Sequence, residues 1–125
     1  MPMRRQFVRI PFQTGAVLTC KGKSHEATLI DISLTGALLH CEAGEESLGE
    51  CLLAIPLSGE VILSLRAEVQ HCSHGQLGCR FTGMSATTFS HLVRLLELNM
   101  GDGGRIEREL LSLARQPRLE SAAAH

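Results

Sequence analysis

A cluster of arginines near the start of the sequence is the first candidate for chemistry. Arg4, Arg5 and Arg9 fall within RRQFVRI at positions 4–10, and the first acidic residue along the chain is Glu26. A guanidinium presents a planar fork of donors that suits bidentate recognition of an anion. The formal net charge of the chain is only −1. Because the positive charge is local, it predicts binding of a compact anion and argues against a broad nucleic-acid surface.

A second candidate is DISLTG, in which Asp31, Ser33 and Gly36 have the spacing DxSxxG. Alone, this pattern is typical of a hairpin turn in which Asp or Ser bonds nearby backbone groups and Gly supplies a positive φ. The arginines alone are likewise typical of a solvated N-terminal segment. Both patterns in this order are expected by chance in about one per cent of chains this long, or fewer. Their combination therefore favours a functional interpretation.

Length and composition indicate one cytoplasmic domain. The chain has 125 residues, 44% of them hydrophobic, with four Phe and no Trp or Tyr, so aliphatic side chains must build the core. Its five cysteines are widely spaced and odd in number, and no secretory signal is evident, which predicts a reducing compartment. The longest uncharged apolar run, CLLAIPL, is too short to cross a bilayer, so no membrane association is expected.

The elements expected to position these residues are six short strands followed by two helices. In EVILSLRAEVQHC, Val61, Leu63, Leu65, Ala67 and Val69 alternate with mostly polar residues, the period of a half-buried strand. Close spacing of such segments predicts a small antiparallel barrel or sandwich. The predicted strands span 15–22, 24–33, 35–42, 51–57, 60–72 and 76–83; the predicted helices span 85–100, with Ser85 as N-cap, and 105–116.

The pattern Arg5-x-x-x-Arg9 followed by Asp31-x-Ser33-x-x-Gly36 resembles the PilZ domain family, bacterial receptors for the second messenger cyclic di-GMP. The resemblance covers nearly the whole chain and implies a six-stranded antiparallel β-barrel flanked by C-terminal helices, without enzymatic activity. It divides the chain into a flexible ligand-binding arm (1–12), the barrel (13–84), helices packed on it (85–116) and a frayed tail (117–125).

The resemblance also implies a role for each motif residue. Arg5 and Arg9 would hold guanine and phosphate from the arm, because a guanine's O6 and N7 accept a bidentate fork. Asp31 would accept the N1–H and N2–H of a guanine. Ser33 and Gly36 would let a hydroxyl and the backbone approach the ligand closely.

Two further residues are implied with less direct matches to the motif. An arginine before RxxxR, here Arg4, accompanies binding of an intercalated ligand dimer, so two cyclic di-GMP molecules per chain are expected. Some relatives have an aromatic residue, often Trp, on a strand where His71 stands here, and an imidazole can stack with less area.

Ligand binding is expected to order the arm and signal to a protein partner in motility, chemotaxis, pilus or polysaccharide machinery. The chain is expected to be a monomer because it has no heptad seam.

Four alternatives are weighed against this interpretation. The serious one is a degenerate PilZ-like adaptor that contacts proteins without binding ligand. A small nucleic-acid-binding barrel is disfavoured by the charge balance and the lack of stacking aromatics. Zinc is weighed because His71, Cys72, His74 and Cys79 are all ligand types, but their spacing matches no standard zinc pattern, so no metal is expected. No arrangement of residues supplies a nucleophile with its base and orienting group, so an enzyme is not expected.

Overall fold

The computed structural model describes residues 7–43, 47–100 and 103–113, which form six strands and two helices. The strands are β1 (Ile10–Cys20), β2 (Lys23–Ile32), β3 (Gly36–Cys41), β4 (Gly49–Pro56), β5 (Ile62–Ser73) and β6 (Gln76–Met84); the helices are α1 (Ala86–Met100) and α2 (Gly103–Leu113).

The strands close into a barrel in the order β1-β2-β3-β6-β5-β4, and β1 pairs with β4 to complete the ring. Every pairing is antiparallel. The prediction of a six-stranded antiparallel barrel with C-terminal helices is therefore confirmed. Four of the six pairings join strands that are consecutive in sequence, whereas β3–β6 and β1–β4 join strands that are distant in sequence.

The core fills the inside of the barrel with aliphatic and small side chains. On β5 the predicted inward residues Leu63, Leu65, Ala67 and Val69 are all buried, while Val61 precedes the strand and is half-buried. Burying one Leu or Val side chain contributes about 1.5–3 kcal/mol to folding, so this row of buried residues stabilises the packing of β5 in the barrel. Alternation thus correctly identified the face that builds the core.

The first strand begins earlier than predicted. It starts at Ile10 instead of residue 15, because the buried Ile10 side chain joins the core and its backbone pairs with Ile32. The register of β1 and β2 shifts between Pro11 and Thr14, where a proline without an N–H cannot continue a regular ladder. Residues 10–12 of the predicted arm thus belong to the barrel sheet.

Helix α1 packs its apolar side against β5 and β1, and helix α2 packs against α1. The Ser85 hydroxyl accepts a hydrogen bond from the Thr88 N–H at 3.0 Å, which confirms Ser85 as the N-cap of α1. Leu92 and Leu96 of α1 are fully buried, and so is Ile106 of α2. Helix α2 begins at Gly103, two residues earlier than predicted, while 114–116 lie outside the described residues. Neither helix is long and apolar enough to span a bilayer.

Candidate functional site

The structure brings one residue of each sequence motif into contact. Arg9 lies immediately before β1, and Asp31 lies near the end of β2, where Pro11 of β1 is its partner. The Arg9 Nε donates to Asp31 Oδ1 at 3.0 Å, with 46% of the arginine side chain and 23% of the aspartate side chain exposed. An RxxxR residue and the DxSxxG carboxylate therefore stand side by side at the surface.

The Ser33 hydroxyl is engaged within the turn that connects β2 and β3. Ser33 is fully buried, and its Oγ accepts hydrogen bonds from the N–H groups of Thr35 at 3.2 Å and Gly36 at 3.1 Å. The Ser33 backbone N–H in turn donates to the Gly36 carbonyl at 2.9 Å. These bonds satisfy the backbone of a tight reversal, as Ser commonly does in turns. In this structure the hydroxyl stabilises the turn that presents Asp31.

Gly36 is required for a reason that the sequence did not indicate. A simple hairpin turn of this pattern would give Gly36 a positive φ, but its φ lies outside the left-handed region. A Cβ on Gly36 would instead collide with the Cys79 carbonyl oxygen on the neighbouring strand β6. The absent side chain lets β3 and β6 approach each other at the start of their ladder.

The strand register places Asp31 and His71 in one row across four strands. Asp31 of β2 pairs with Leu38 of β3, Leu38 pairs with Gly78 of β6, and Gly78 pairs with His71 of β5. Measured over three strand spacings around the barrel, the row is about 14 Å long, and β2 and β5 stand three positions apart in the ring of six strands. Asp31 and His71 both reach solvent, so the row runs along the outer surface of the barrel.

Gly78 is a residue of this row that the sequence analysis missed as a functional candidate. The His71 imidazole occupies the space that a Cβ on Gly78 would need, so the Nε2 end of the ring lies close to the bare backbone of β6. A glycine inside an otherwise regular strand is a signal of such close approach. The position of His71 on the surface thus depends on the residue across from it.

A second ion pair beside the row was also missed. Arg80 of β6 is the register partner of Gly36 on one side and of Glu68 on the other. Its Nη2 donates to Glu68 Oε1 at 2.7 Å, and both side chains are a little more than one-third exposed. Only the strand register reveals that Arg80, distant in sequence, lies next to the DxSxxG turn.

The other predicted residues are not tested by this geometry. Arg4 and Arg5 lie outside the described residues. Across the described ranges no three His, Cys, Asp or Glu side chains form a group that could hold a metal ion. A surface depression of about 450 Å³ lies elsewhere on the barrel, lined in part by Val17, Leu52 and Arg66, and contains none of the predicted site residues.

Comparison with known proteins shows which family the sequence matches and which solved structures have a similar fold. The sequence model of the PilZ domain matches residues 3–98, which include both motifs and all six strands. The structure is similar to the PilZ domain of CeSA from a cellulose synthesizing bacterium, with a TM-score of 0.58 and 20% identity over 70% of this chain and 93% of that one.

Two further solved structures have the same barrel. The PilZ domain of YcgR from Escherichia coli, determined with c-di-GMP, has a TM-score of 0.60 and 19% identity over 90% of this chain and 98% of that one. The inhibitor of motility of Bacillus subtilis (MotI/DgrA) has a TM-score of 0.60 and 19% identity over 86% of this chain; the match spans about half of that protein, 51%.

Proposed function

Because the chain belongs to the PilZ domain family, we propose that it binds cyclic di-GMP on the outer surface of the barrel, between the N-terminal segment and the β2–β3 turn. The observation that carries the proposal is the contact of Arg9 with Asp31, which unites RxxxR and DxSxxG in one surface site. The structure of the YcgR domain with c-di-GMP supports the choice of ligand.

The Arg9–Asp31 ion pair is easily rearranged when a ligand arrives. An exposed pair of this kind contributes about 0–1 kcal/mol to stability, because solvent screens it. Micromolar binding releases about 8 kcal/mol, so opening the pair costs little by comparison. Once separated, the guanidinium is free for a guanine edge or a phosphate, and the carboxylate for guanine N–H donors. The pair holds both groups near their working positions before binding.

The remaining assignments complete the proposed site. Arg5 would grip the ligand together with Arg9, and Arg4 would favour an intercalated pair of cyclic di-GMP molecules. His71 would offer a stacking face at the far end of the register row. Ser33 and Gly36 would act by shaping the turn. The part of the N-terminal arm that carries Arg4 and Arg5 would settle over the ligand and form a new surface for a protein partner in motility or a related machinery. The adaptor would act as a monomer. Its five free thiols support a location in the cytoplasm, where thiols are kept reduced.

The experiment is calorimetric titration of the full chain with cyclic di-GMP, with GMP and cyclic di-AMP as ligand controls. We expect micromolar or tighter affinity with a stoichiometry of two, and loss of binding in Arg5→Ala, Arg9→Ala and Asp31→Ala. No heat at ~100 μM ligand, a binding free energy weaker than about 5.5 kcal/mol, would overturn the proposal in favour of an adaptor that binds no ligand.

Arg66→Ala is the matched control for the arginine variants. Arg66 is an exposed arginine on the outer face of β5, but it lines the depression described above instead of the proposed site. Its replacement removes the same charge from the chain and should leave the affinity within about twofold of the wild type. If it weakens binding as much as Arg9→Ala, the ligand is held by general electrostatic attraction and the assigned site is wrong.

A further inference from the structure

Two cysteines meet at the seam where the barrel closes. Cys20 ends β1, and Cys51 lies near the start of β4, directly opposite Cys20 in the strand register. Both are buried, and their sulfur atoms are 2.7 Å apart. The Cys51 thiol also lies 3.2 Å from the Ser47 carbonyl, an acceptor that would leave the sulfur lone pairs facing Cys20. A disulfide bond needs about 2.05 Å, so small side-chain rotations bridge the remaining distance.

We propose that Cys20 and Cys51 form an oxidative modification site, at which a peroxide converts the two thiols into an intrachain disulfide across the β1–β4 seam. One thiolate attacks the peroxide O–O bond; with hydrogen peroxide this gives a sulfenic acid and water. The second thiolate attacks that sulfenic sulfur, forms the S–S bond and releases a second water. The two sulfurs together lose two electrons and two protons, and one hydrogen peroxide becomes two waters.

Geometry, not accessibility, selects this pair. Cys72 is the most exposed of the five cysteines and would react first if exposure decided the outcome. Cys41 and Cys79 are buried on β3 and β6, which pair with neither β1 nor β4, so neither stands opposite Cys20 or Cys51 in the strand register. The second thiol of the proposed pair lies within reach at once, so a sulfenic acid formed at either position is resolved within the chain before further oxidation.

Burial sets the conditions under which the reaction occurs. Burial, together with the hydrogen bond and charge of Cys51, raises the pKa of Cys20 to about 12. The thiolate is the reactive form, so oxidation at neutral pH is slow. While the pH stays below the pKa, the thiolate fraction grows about tenfold per pH unit. The rate of attack by the Cys20 thiolate should therefore keep rising above pH 9, where an ordinary thiol is already largely ionised.

To test this, the folded chain is treated with hydrogen peroxide and then unfolded in the presence of an alkylating agent, which blocks the remaining free thiols. Its peptides are then mapped without reduction. We expect two of the five thiols to disappear and the Cys20 and Cys51 peptides to be joined. Cys72→Ala should give the same crosslink at the same rate, whereas Cys51→Ala should give none. A protective effect on the fold is expected as well: the oxidised chain should unfold at a higher urea concentration than the reduced chain, and dithiothreitol should abolish the difference.

Two results would overturn the proposal. One is oxidation or intermolecular crosslinking at Cys72 while Cys20 and Cys51 stay alkylatable. The other is a crosslink of Cys20 to Cys41 or Cys79. If Cys51→Ala fails to fold, peptide mapping of the wild type and of Cys72→Ala decides the question without it. Cyclic di-GMP titration is a separate readout, so failure here leaves the ligand proposal unaffected.

Discussion

At the scale of single residues, two of the three DxSxxG residues stabilise the fold. The Ser33 hydroxyl accepts hydrogen bonds from the backbone of its own turn, and Gly36 permits the close contact between β3 and β6. Asp31 is the motif residue left at the surface with a partner that a ligand could displace. The motif therefore divides into one recognition group and two residues that hold it in place, and substitutions should separate the two effects.

Gly36→Ala should destabilise the fold by about 1–3 kcal/mol, because the added methyl meets the carbonyl oxygen of Cys79, which belongs to the backbone and cannot rotate away. Gly15→Ala is the matched control: Gly15 lies in β1, and a Cβ there meets no atom within 4 Å. Urea unfolding at 25 °C should show a loss for the first variant and a change within about 0.5 kcal/mol for the second. Equal effects would refute the assigned close approach.

Asp31→Asn should have the opposite profile, with little effect on stability and a large one on ligand binding. The exposed pair with Arg9 contributes at most about 1 kcal/mol to folding. Replacing a carboxylate that accepts two guanine N–H donors should weaken cyclic di-GMP binding about 10–100-fold, the usual cost of a lost charged hydrogen bond. Glu26→Gln, at an exposed carboxylate on the same strand, is the control and should alter neither quantity. Unchanged affinity in Asp31→Asn would remove Asp31 from the site.

At the scale of elements, helix α2 is tied to the segment that carries RxxxR. The Val8 N–H donates to Glu109 Oε2 at 2.9 Å, and the Arg105 Nε approaches the same oxygen at 3.3 Å. Glu109 is only 7% exposed, and its other oxygen, Oε1, is buried without a hydrogen-bond partner among the described residues. A buried carboxylate is costly unless it is bonded. These hydrogen bonds thus hold the residues just before β1 against helix α2.

Glu109→Ala should destabilise the protein by about 1–3 kcal/mol, because it leaves the partly buried Val8 N–H without its acceptor. Glu109→Gln keeps a carbonyl oxygen for Val8 and should recover part of the loss. Glu107→Ala, at an exposed position of the same helix, tests the effect of removing an acid alone and should be nearly neutral. Amide exchange at Val8 should accelerate in Glu109→Ala only. An unchanged rate there would show that the bond contributes nothing in solution.

At the scale of the whole molecule, period-2 alternation was enough to predict the strands and a small antiparallel barrel or sandwich, because inward aliphatic residues recur along a strand. The family resemblance then selected the barrel. The register was not readable from the sequence. Contacts such as Gly36 with Cys79 and His71 with Gly78 depend on pairings between distant strands. Local rules accordingly failed where tertiary contacts decide: the φ of Gly36, and the early start of β1, which follows from the burial of Ile10.

The closed barrel buries thiols whose ionisation should weaken it at alkaline pH. Burial, with a smaller contribution from nearby Cys51 and Cys41, raises the pKa of Cys79 from its ordinary 9.0 to about 12. Above pH 9 the unfolded chain releases this proton while the folded chain retains it, so stability falls as the pH rises. The stabilising contribution is complete below pH 9 and is lost progressively toward pH 12, at up to about 1.4 kcal/mol per pH unit for one group.

Cys79→Ala should therefore flatten the alkaline part of the stability curve. Urea unfolding under reducing conditions at pH 7, 8, 9 and 10 should show the wild type losing about 1 kcal/mol more than the variant between pH 8 and 10. The methyl side chain also costs packing, but that offset is the same at every pH and is measured at pH 7, where both chains carry no thiolate at this position. Parallel curves would mean that Cys79 ionises as readily in the folded chain as in the unfolded one, and that the barrel interior is open to water at this strand.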